Sequence, residues 1–347
     1  MSTAAPFAFL VHPRARIGED LARVWRPLGR VPEGWIDSAV RRLPLPSYAM
    51  ARVHLDSAPV GHVVLVPFGA KHLLSEPHEG RARVGRAIDH AVRLGAGVVG
   101  LGALTATVTA GGATLRKRSD IGVTNGNAYT AAIVEDQLMA LLTDLTDRRV
   151  AVVGATGSVG TTLVRLLARS GAVDSLLLVA RGVPKLAALA AEVGRRVPTT
   201  TSTDMYDVRG CDAVVLLTAS ADALLGAEHL APGARVLDAT QPRNTSPDLA
   251  AARPDVTVVD GGVVQVPGMH LRGGDIGLPR GQAYACFAET FLLGLAGHVG
   301  HFSTGVPTLD HVSHIRGLAD RFAQHGFAAA APASFGRPLV GVLAGAR

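Results

Sequence analysis

Three groups of residues have types and spacings that can do chemistry: a glycine run, two cations beyond it, and one cysteine. The run is Gly154-x-x-Gly157-x-x-Gly160, entered from Val150-Ala-Val-Val153 and left through Thr161-Thr-Leu-Val-Arg-Leu-Leu-Ala168. The uncharged, β-branched entry suits a strand buried on both faces of a parallel sheet. The glycines let the backbone turn sharply and approach a pyrophosphate, and the amphipathic helix after them offers its N-terminus to that anion. A glycine pattern alone says little, but strand, glycines and helix in this order read as a dinucleotide-binding turn. Gly154, Thr156, Gly157, Ser158, Val159 and Gly160 are the residues expected to hold the cofactor.

The cations say which nucleotide. Leu176-Leu-Leu-Val-Ala180 reads as the next strand, and about 20 residues past the last glycine an NAD site places an acid on the ribose hydroxyl. Arg181 stands there instead, with Lys185 one helical turn on. A carboxylate repels a ribose phosphate and a guanidinium grips it, so the expected cofactor is NADPH. A solvated loop cation is the competing role for Arg181.

The cysteine is Cys286, in Gln282-Ala-Tyr-Ala-Cys-Phe-Ala-Glu289 at the start of an apolar helix expected over 281–296. The positive end of a helix lowers a thiol's pKa and raises its thiolate fraction. Simple packing is the competing role, since free cysteine is among the most buried residue types. Packing is also the reading of Cys211, at the entry to a strand. Glu289, one turn after Cys286, either orients the site or is only the helix's polar residue. His12, His90 and His270 are each able to act as acid or base near neutral pH. His311 and His314 lack a third ligand and read as a solvated helix face, so no metal is expected.

The elements around these groups follow an α/β pattern. Strands expected at 150–153, 176–180, 213–217, 235–238 and 256–260 alternate with helices as in a Rossmann-type, doubly wound parallel sheet. Before it, strands at 7–11, 62–67 and 98–101 and helices at 18–25, 84–94 and 131–145 suggest a first, substrate-binding region. A last helix is expected at 309–324, with C-terminal helices packing back across the cleft. The expected division is 1–135 for substrate, 136–280 for NADP, and 281–347 for a helical segment carrying the nucleophile.

Composition narrows the class. The chain has 347 residues, 48% of them hydrophobic and 18% charged, enough for a sizeable core and too apolar for disorder. Two cysteines make no disulfide framework, and the N-terminus reads as lacking a signal peptide, so a cytoplasmic protein is expected. Residues 94–115 carry no charge, but six glycines and four threonines interrupt them, which excludes a spanning helix and suggests a loop facing a site. The net charge of +6 favours acidic partners. With 4% aromatics and no recognition motif, nucleic acid is not the expected one. Arg116-Lys117-Arg118 is the dense basic cluster, read either as a solvated loop or as a landing place for an acidic carrier protein.

Several stretches together resemble the long-chain acyl-acyl carrier protein reductases, the fatty-aldehyde-forming family known from cyanobacteria. They are Val150-Ala-Val-Val-Gly-Ala-Thr-Gly157, Thr124-Asn-Gly-Asn-Ala-Tyr-Thr130, Val259-Asp-Gly-Gly-Val-Val264, Ala285-Cys-Phe-Ala-Glu289 and His325-Gly-Phe327. The resemblance runs from about residue 12 to 327 and implies a cysteine nucleophile at Cys286, NADPH as reductant, and an acyl thioester substrate. The 238–244 loop lacks the family's glycine pair, and the first region diverges, which leaves the accepted chain length open. A weaker likeness, in domain order, is to glutamyl-tRNA reductases and shikimate dehydrogenases. The expected activity is reduction of an acyl thioester, bound to acyl carrier protein or coenzyme A, to an aldehyde through an acyl-cysteine. The alternatives are an NADP-dependent dehydrogenase of a free carbonyl or alcohol, and a non-catalytic NADPH-binding partner in a biosynthetic complex.

Overall fold

Period-two alternation in short apolar runs and longer amphipathic stretches between them set out the elements of this chain. The computed structural model describes residues 6–13, 31–43, 45–218 and 225–339. The helix expected at 18–25, and residues 219–224, lie outside these. In chain order come β1 (Phe7–Val11), α1 (Glu33–Arg42), the hairpin β2 (Tyr48–Leu55) and β3 (Ala58–Leu65), α2 (Ala70–Ser75) and α3 (Pro77–Arg93). Then follow β4 (Val98–Leu101), α4 (Leu104–Val108), β5 (Gly122–Thr124) and α5 (Asn127–Leu142). The middle of the chain holds β6 (Arg149–Val153), α6 (Ser158–Ser170), β7 (Ser175–Val179), α7 (Val183–Val193), β8 (Thr199–Ser202) and β9 (Ala213–Leu216). After them come β10 (Arg235–Asp238), α8 (Pro247–Ala252), β11 (Thr257–Asp260), β12 (Val263–Gln265) and β13 (Met269–Gly273). The last principal elements are β14 (Gln282–Tyr284), α9 (Ala285–Leu295) and α10 (Leu309–Arg321).

Two compact units result: Met1–Gly126 with Val266–Gly305 and His314–Phe327, and Asn127–Gln265 with Val306–Ser313 and Ala328–Arg347. The first is built on a six-stranded sheet in the order β13-β2-β3-β1-β4-β5. β1 pairs in parallel with β3 and β4, while β2 and β13 run antiparallel at one edge. Alternation along β1 serves two faces. Ala8 and Leu10 join Val64 and Val99 under Val84, Ala87, Ile88 and Ala91 of α3. Phe7 and Phe9 meet the other covering helix, α9, with the Phe7 ring 5.6 Å from Phe287 and 5.0 Å from Phe291.

Helix α9 is apolar nearly all round, so it needs a large apolar surface, and the phenylalanine face of this sheet supplies one. That is why residues from 281 on are not a separate segment: α9 belongs to the first unit, and its helical turns begin only at Ala285, after the short strand β14. The packing is tight. A Cβ at Gly100 would lie 1.9 Å from Thr290 Oγ1 and 2.7 Å from the Phe9 ring.

The second unit carries a parallel sheet in the order β8-β7-β6-β9-β10-β11, the doubly wound Rossmann arrangement. Leu138 and Leu141 of α5, Leu163 and Leu167 of α6, and Leu186 and Leu189 of α7 share one core with Val150, Val152 and Val215. The other face gathers Val153, Val214, Leu216 and Val236 with Leu230 and Leu249. Thus α/β architecture with a nucleotide-type sheet is what the alternating pattern implied. The pattern did not show β8: Thr199–Ser202 is an edge strand of hydroxyl residues, partly exposed, with no apolar signature.

Gly100→Ala is expected to destabilise the protein by about 1–3 kcal/mol, because the new methyl must push α9 off the sheet. Denaturant unfolding checks this. An unchanged midpoint and slope would mean that α9 is not seated as described.

Candidate active site

Cys286 is the second residue of α9, with Tyr284 at the N-cap in extended conformation. The turn after β5 comes up against it: Gly126 has φ +74°, and a Cβ there would fall 2.3 Å from Cys286 Cβ and 2.4 Å from its Cα. Only glycine fits, both for the left-handed conformation and for the approach. Asn125, 1% exposed, locks this turn. Its Nδ2 donates to the carbonyls of Gly111 at 3.0 Å and Gly305 at 2.8 Å, and its Oδ1 accepts from Ser303 Oγ at 2.9 Å.

One turn along α9, Glu289 is fully buried. The Thr124 hydroxyl donates to its Oε1. Residues three apart on a helix are neighbours, about 5–6 Å between Cβ atoms, so a thiol and a buried carboxylate share one face of α9. The turn-rich Thr124-Asn125-Gly126 therefore builds the cysteine's surroundings. Its signal in the sequence was present, but turn chemistry alone does not say which side chain a turn will face.

The electrostatics reverse one expectation. Burial, first, and the charge of Glu289, second, push the Cys286 thiol up to about 12. The backbone N–H groups of Phe287 and Cys286 act the other way, as a helix start should, but they are outweighed. The resting group is thus a thiol, although its side chain keeps partial exposure. Cys211, buried in the second unit, is also pushed up, to about 11, mainly by burial.

The glycine turn of the second unit has the shape a dinucleotide needs. Gly154 has φ +86°, and a Cβ there would lie 2.8 Å from the Leu217 carbonyl group, at the carboxyl ends of the adjacent strands β6 and β9. These are the strands flanking the topological switch point, where such sheets bind ligands. A Cβ at Gly160 would meet Gly154 O at 2.3 Å, so this glycine lets α6 sit on the turn. Gly157 is exposed at the N-cap of α6, with Thr156, Ser158 and Val159 partly exposed beside it. The Asn127 amide donates to Ser158 Oγ at 2.8 Å. A cradle that any side chain would fill, opening on the start of a 13-residue helix, fits a pyrophosphate. Arg181 and Lys185 are exposed, before and within the first turn of α7.

One feature of this unit was not read from the sequence. Asp238, 2% exposed at the end of β10, accepts from the backbone of Thr240, Asn244 and Thr245 at 3.1, 2.9 and 2.9 Å and from the Thr245 hydroxyl at 2.7 Å. A single carboxylate thus organises the whole 239–245 loop. A lone Asp at a strand end gives no sequence signal of such a role.

Other expected participants sit elsewhere. Residues 94–115 are not one open loop: α4 and a 3-10 turn fold within them, and the hydroxyls of Thr105, Thr109 and Thr114 donate to backbone carbonyls of their own segment. Within the basic cluster, Arg116 bonds Thr304, and Arg118 pairs with Asp89 at 2.8 Å and Asp120 at 2.6 Å, so Arg118's charge is spent within the molecule. His12 Nε2 accepts from Leu104 N at 3.4 Å, His90 lies in the last turn of α3, and His270 stacks on His54. His311 Nδ1 accepts from Thr308 N at 3.1 Å, and His314 packs on Phe302. Among the described residues no cluster of three metal-ligating side chains occurs, and no helix is long and apolar enough to cross a membrane.

The nucleotide-type sheet of the second unit agrees with a family match. Residues 149–259 match the family described as semialdehyde dehydrogenase, NAD binding domain. Over 96% of its length the chain is 29% identical to Aminotransferase PigE of Serratia sp., of which it spans only 40%. It is 28% identical to a long-chain acyl-acyl-carrier-protein reductase of Synechococcus elongatus, over 71% of this chain and 75% of that one. Among solved structures, L-tryptophan dehydrogenase from Nostoc punctiforme covers 91% of this chain and 79% of its own, at 14% identity and a TM-score of 0.37. The chain thus resembles the acyl-acyl carrier protein reductases, and its residues 149–259 match a nicotinamide-nucleotide-binding domain.

Proposed function

We propose that this protein reduces an acyl thioester, carried by acyl carrier protein or coenzyme A, to an aldehyde with NADPH, through an acyl group on Cys286. The observation that carries the reading is the pair on α9: a partly exposed, neutral thiol at the helix start with a buried carboxylate, Glu289, one turn away. A thiol held at about 12 needs a base at the moment of attack, and Glu289 is that base. Thr124 fixes the carboxylate by donating to it.

In the first step Cys286 Sγ bonds to the thioester carbonyl carbon while its proton passes to Glu289. The carbon–sulfur bond to the carrier breaks, and the leaving thiolate takes the proton from Glu289. The N–H groups at the start of α9 stabilise the oxyanion on the way. Gly154, Thr156, Gly157, Ser158, Val159 and Gly160 would hold the cofactor's pyrophosphate and Arg181 and Lys185 its ribose phosphate, and when bound it would supply a hydride. Reduction of the acyl carbon would break the Cys286 carbon–sulfur bond and release the aldehyde, and one solvent proton would restore the Cys286 thiol. The likeness to a longer aminotransferase supports an aldehyde product, since amino transfer requires a carbonyl acceptor. Arg116 and Lys117 are the exposed cations of the basic cluster and are proposed to receive an acidic carrier.

The direct test is aldehyde formation from acyl thioester and NADPH. Cys286→Ser is expected to abolish it while nucleotide binding persists, and wild-type rates in this variant would sink the covalent route.

Glu289→Gln gives opposite signs in two assays. Removing the negative charge lowers the thiol pKa, so iodoacetamide should modify Cys286 faster at pH 8, where burial and Glu289 keep the wild-type group a thiol. Wild-type alkylation should climb about tenfold per pH unit from 8 to 11. Turnover should nevertheless fall by about a hundredfold or more, since the base is gone. If turnover rises together with alkylation, Glu289 is only a neighbouring charge.

Arg181→Ala should weaken NADPH binding by about tenfold or more and leave NADH nearly unchanged, as measured by fluorescence titration. Equal losses for both nucleotides would take Arg181 out of the phosphate site.

A further inference from the structure

The edge pair of the first unit's sheet concentrates positive charge in an unusual way. Arg52 on β2 stands directly across from Arg272 on β13, and His54 across from His270. On its other side Arg52 faces His62 of β3. Strand alternation puts His62 on the face of Val64, beneath α3, which is opposite to the Phe7 and Phe9 face beneath α9. These five residues therefore lie on the far side of the sheet from Cys286.

Two demands are unmet there. Like charges directly opposite each other on antiparallel strands are unfavourable, and among the described residues neither arginine has an ion pair. Buried ring nitrogens normally find partners, yet Nδ1 of His54, His62 and His270 has none. His54 is only 4% exposed, and its ring stacks on His270 with centroids 5.0 Å apart and planes 19° from parallel. Neighbouring guanidinium groups repel a metal cation from these nitrogens. An anion with several acceptor oxygens answers both demands at once. Guanidinium forks suit a tetrahedral, doubly charged oxyanion better than a single carboxylate.

We propose that Arg52, His54, His270 and Arg272 form a binding site for a phosphate-bearing anion, separate from the Cys286 site and independent of the reductase reading. His62 stands at its margin. Burial and the charges of Arg272, His270 and Arg52 hold the His54 pKa down, and burial with Arg52 and His90 does the same for His62. Arg93 acts likewise on His90. A bound anion offsets those charges and favours protonated imidazoles, so binding should tighten as pH falls.

Calorimetric titration of the full chain tests this, with R52Q/R272Q beside wild type. Inorganic phosphate and glycerol 3-phosphate at pH 7 separate the free ion from a phosphomonoester: binding of either supports the site and says which source it accepts. Sulfate, whose charge is constant, should bind several-fold tighter at pH 6 than at pH 8. The double variant should weaken each anion by about tenfold or more. Both arginines are exposed, so this variant should keep the wild-type thermal midpoint or exceed it. Absence of binding by every anion at pH 6, a pH-independent sulfate affinity, or equal binding by R52Q/R272Q would overturn the proposal.

Discussion

The seating of α9 on the phenylalanine face of the first sheet is the constraint on which the cysteine site depends. Because Gly100 leaves room for Thr290 and the rings of Phe7, Phe287 and Phe291 interlock, the start of α9 has no freedom to shift. The turn at Gly126 can then close to within a side chain's width of Cys286, and Thr124 can reach Glu289. The helix dipole favours a thiolate at that position, but low polarity and the nearby carboxylate favour the thiol more strongly. In the proposed reaction, such a thiol would stay unreactive until substrate arrives and Glu289 takes its proton.

The nucleotide half rests on a different kind of precision. Gly154 and Gly160 are positions where a methyl group would collide with backbone, so the turn between β6 and α6 is set by the absence of side chains. Asp238 plays the complementary part, since one buried carboxylate gathers the polar groups of the 239–245 loop at the carboxyl end of β10. Rigid backbone at those strand ends is what a Rossmann sheet contributes to ligand binding.

Much of this was legible in the residues themselves. The strands of the nucleotide sheet are short runs of Val, Leu and Ala with no charge, and a run of that kind has few other places to go than a buried sheet. Helix α9 was visible because it is apolar on every side, but its partner was not, since nothing local tells a buried helix which sheet will cover it. Strands β2 and β13 escaped notice for a related reason: their Arg and His residues leave no uncharged apolar run, and they find their place only through pairing across the sheet edge. Cys286 was identifiable, yet its ionisation was misjudged, because helix position is local while burial and the approach of Glu289 are tertiary. The basic cluster shows the same limit, with Arg118 neutralised by Asp89, a residue far away in sequence.

The proposed reaction stands on a covalent acyl group at one sulfur. Intact-protein mass spectrometry after challenge with a short acyl thioester, with no nucleotide present, addresses it directly. The expected result is a mass increase equal to one acyl group, mapped to Cys286 and absent from Cys286→Ser. An unmodified protein that still produces aldehyde once NADPH is added would rule out the acyl-cysteine.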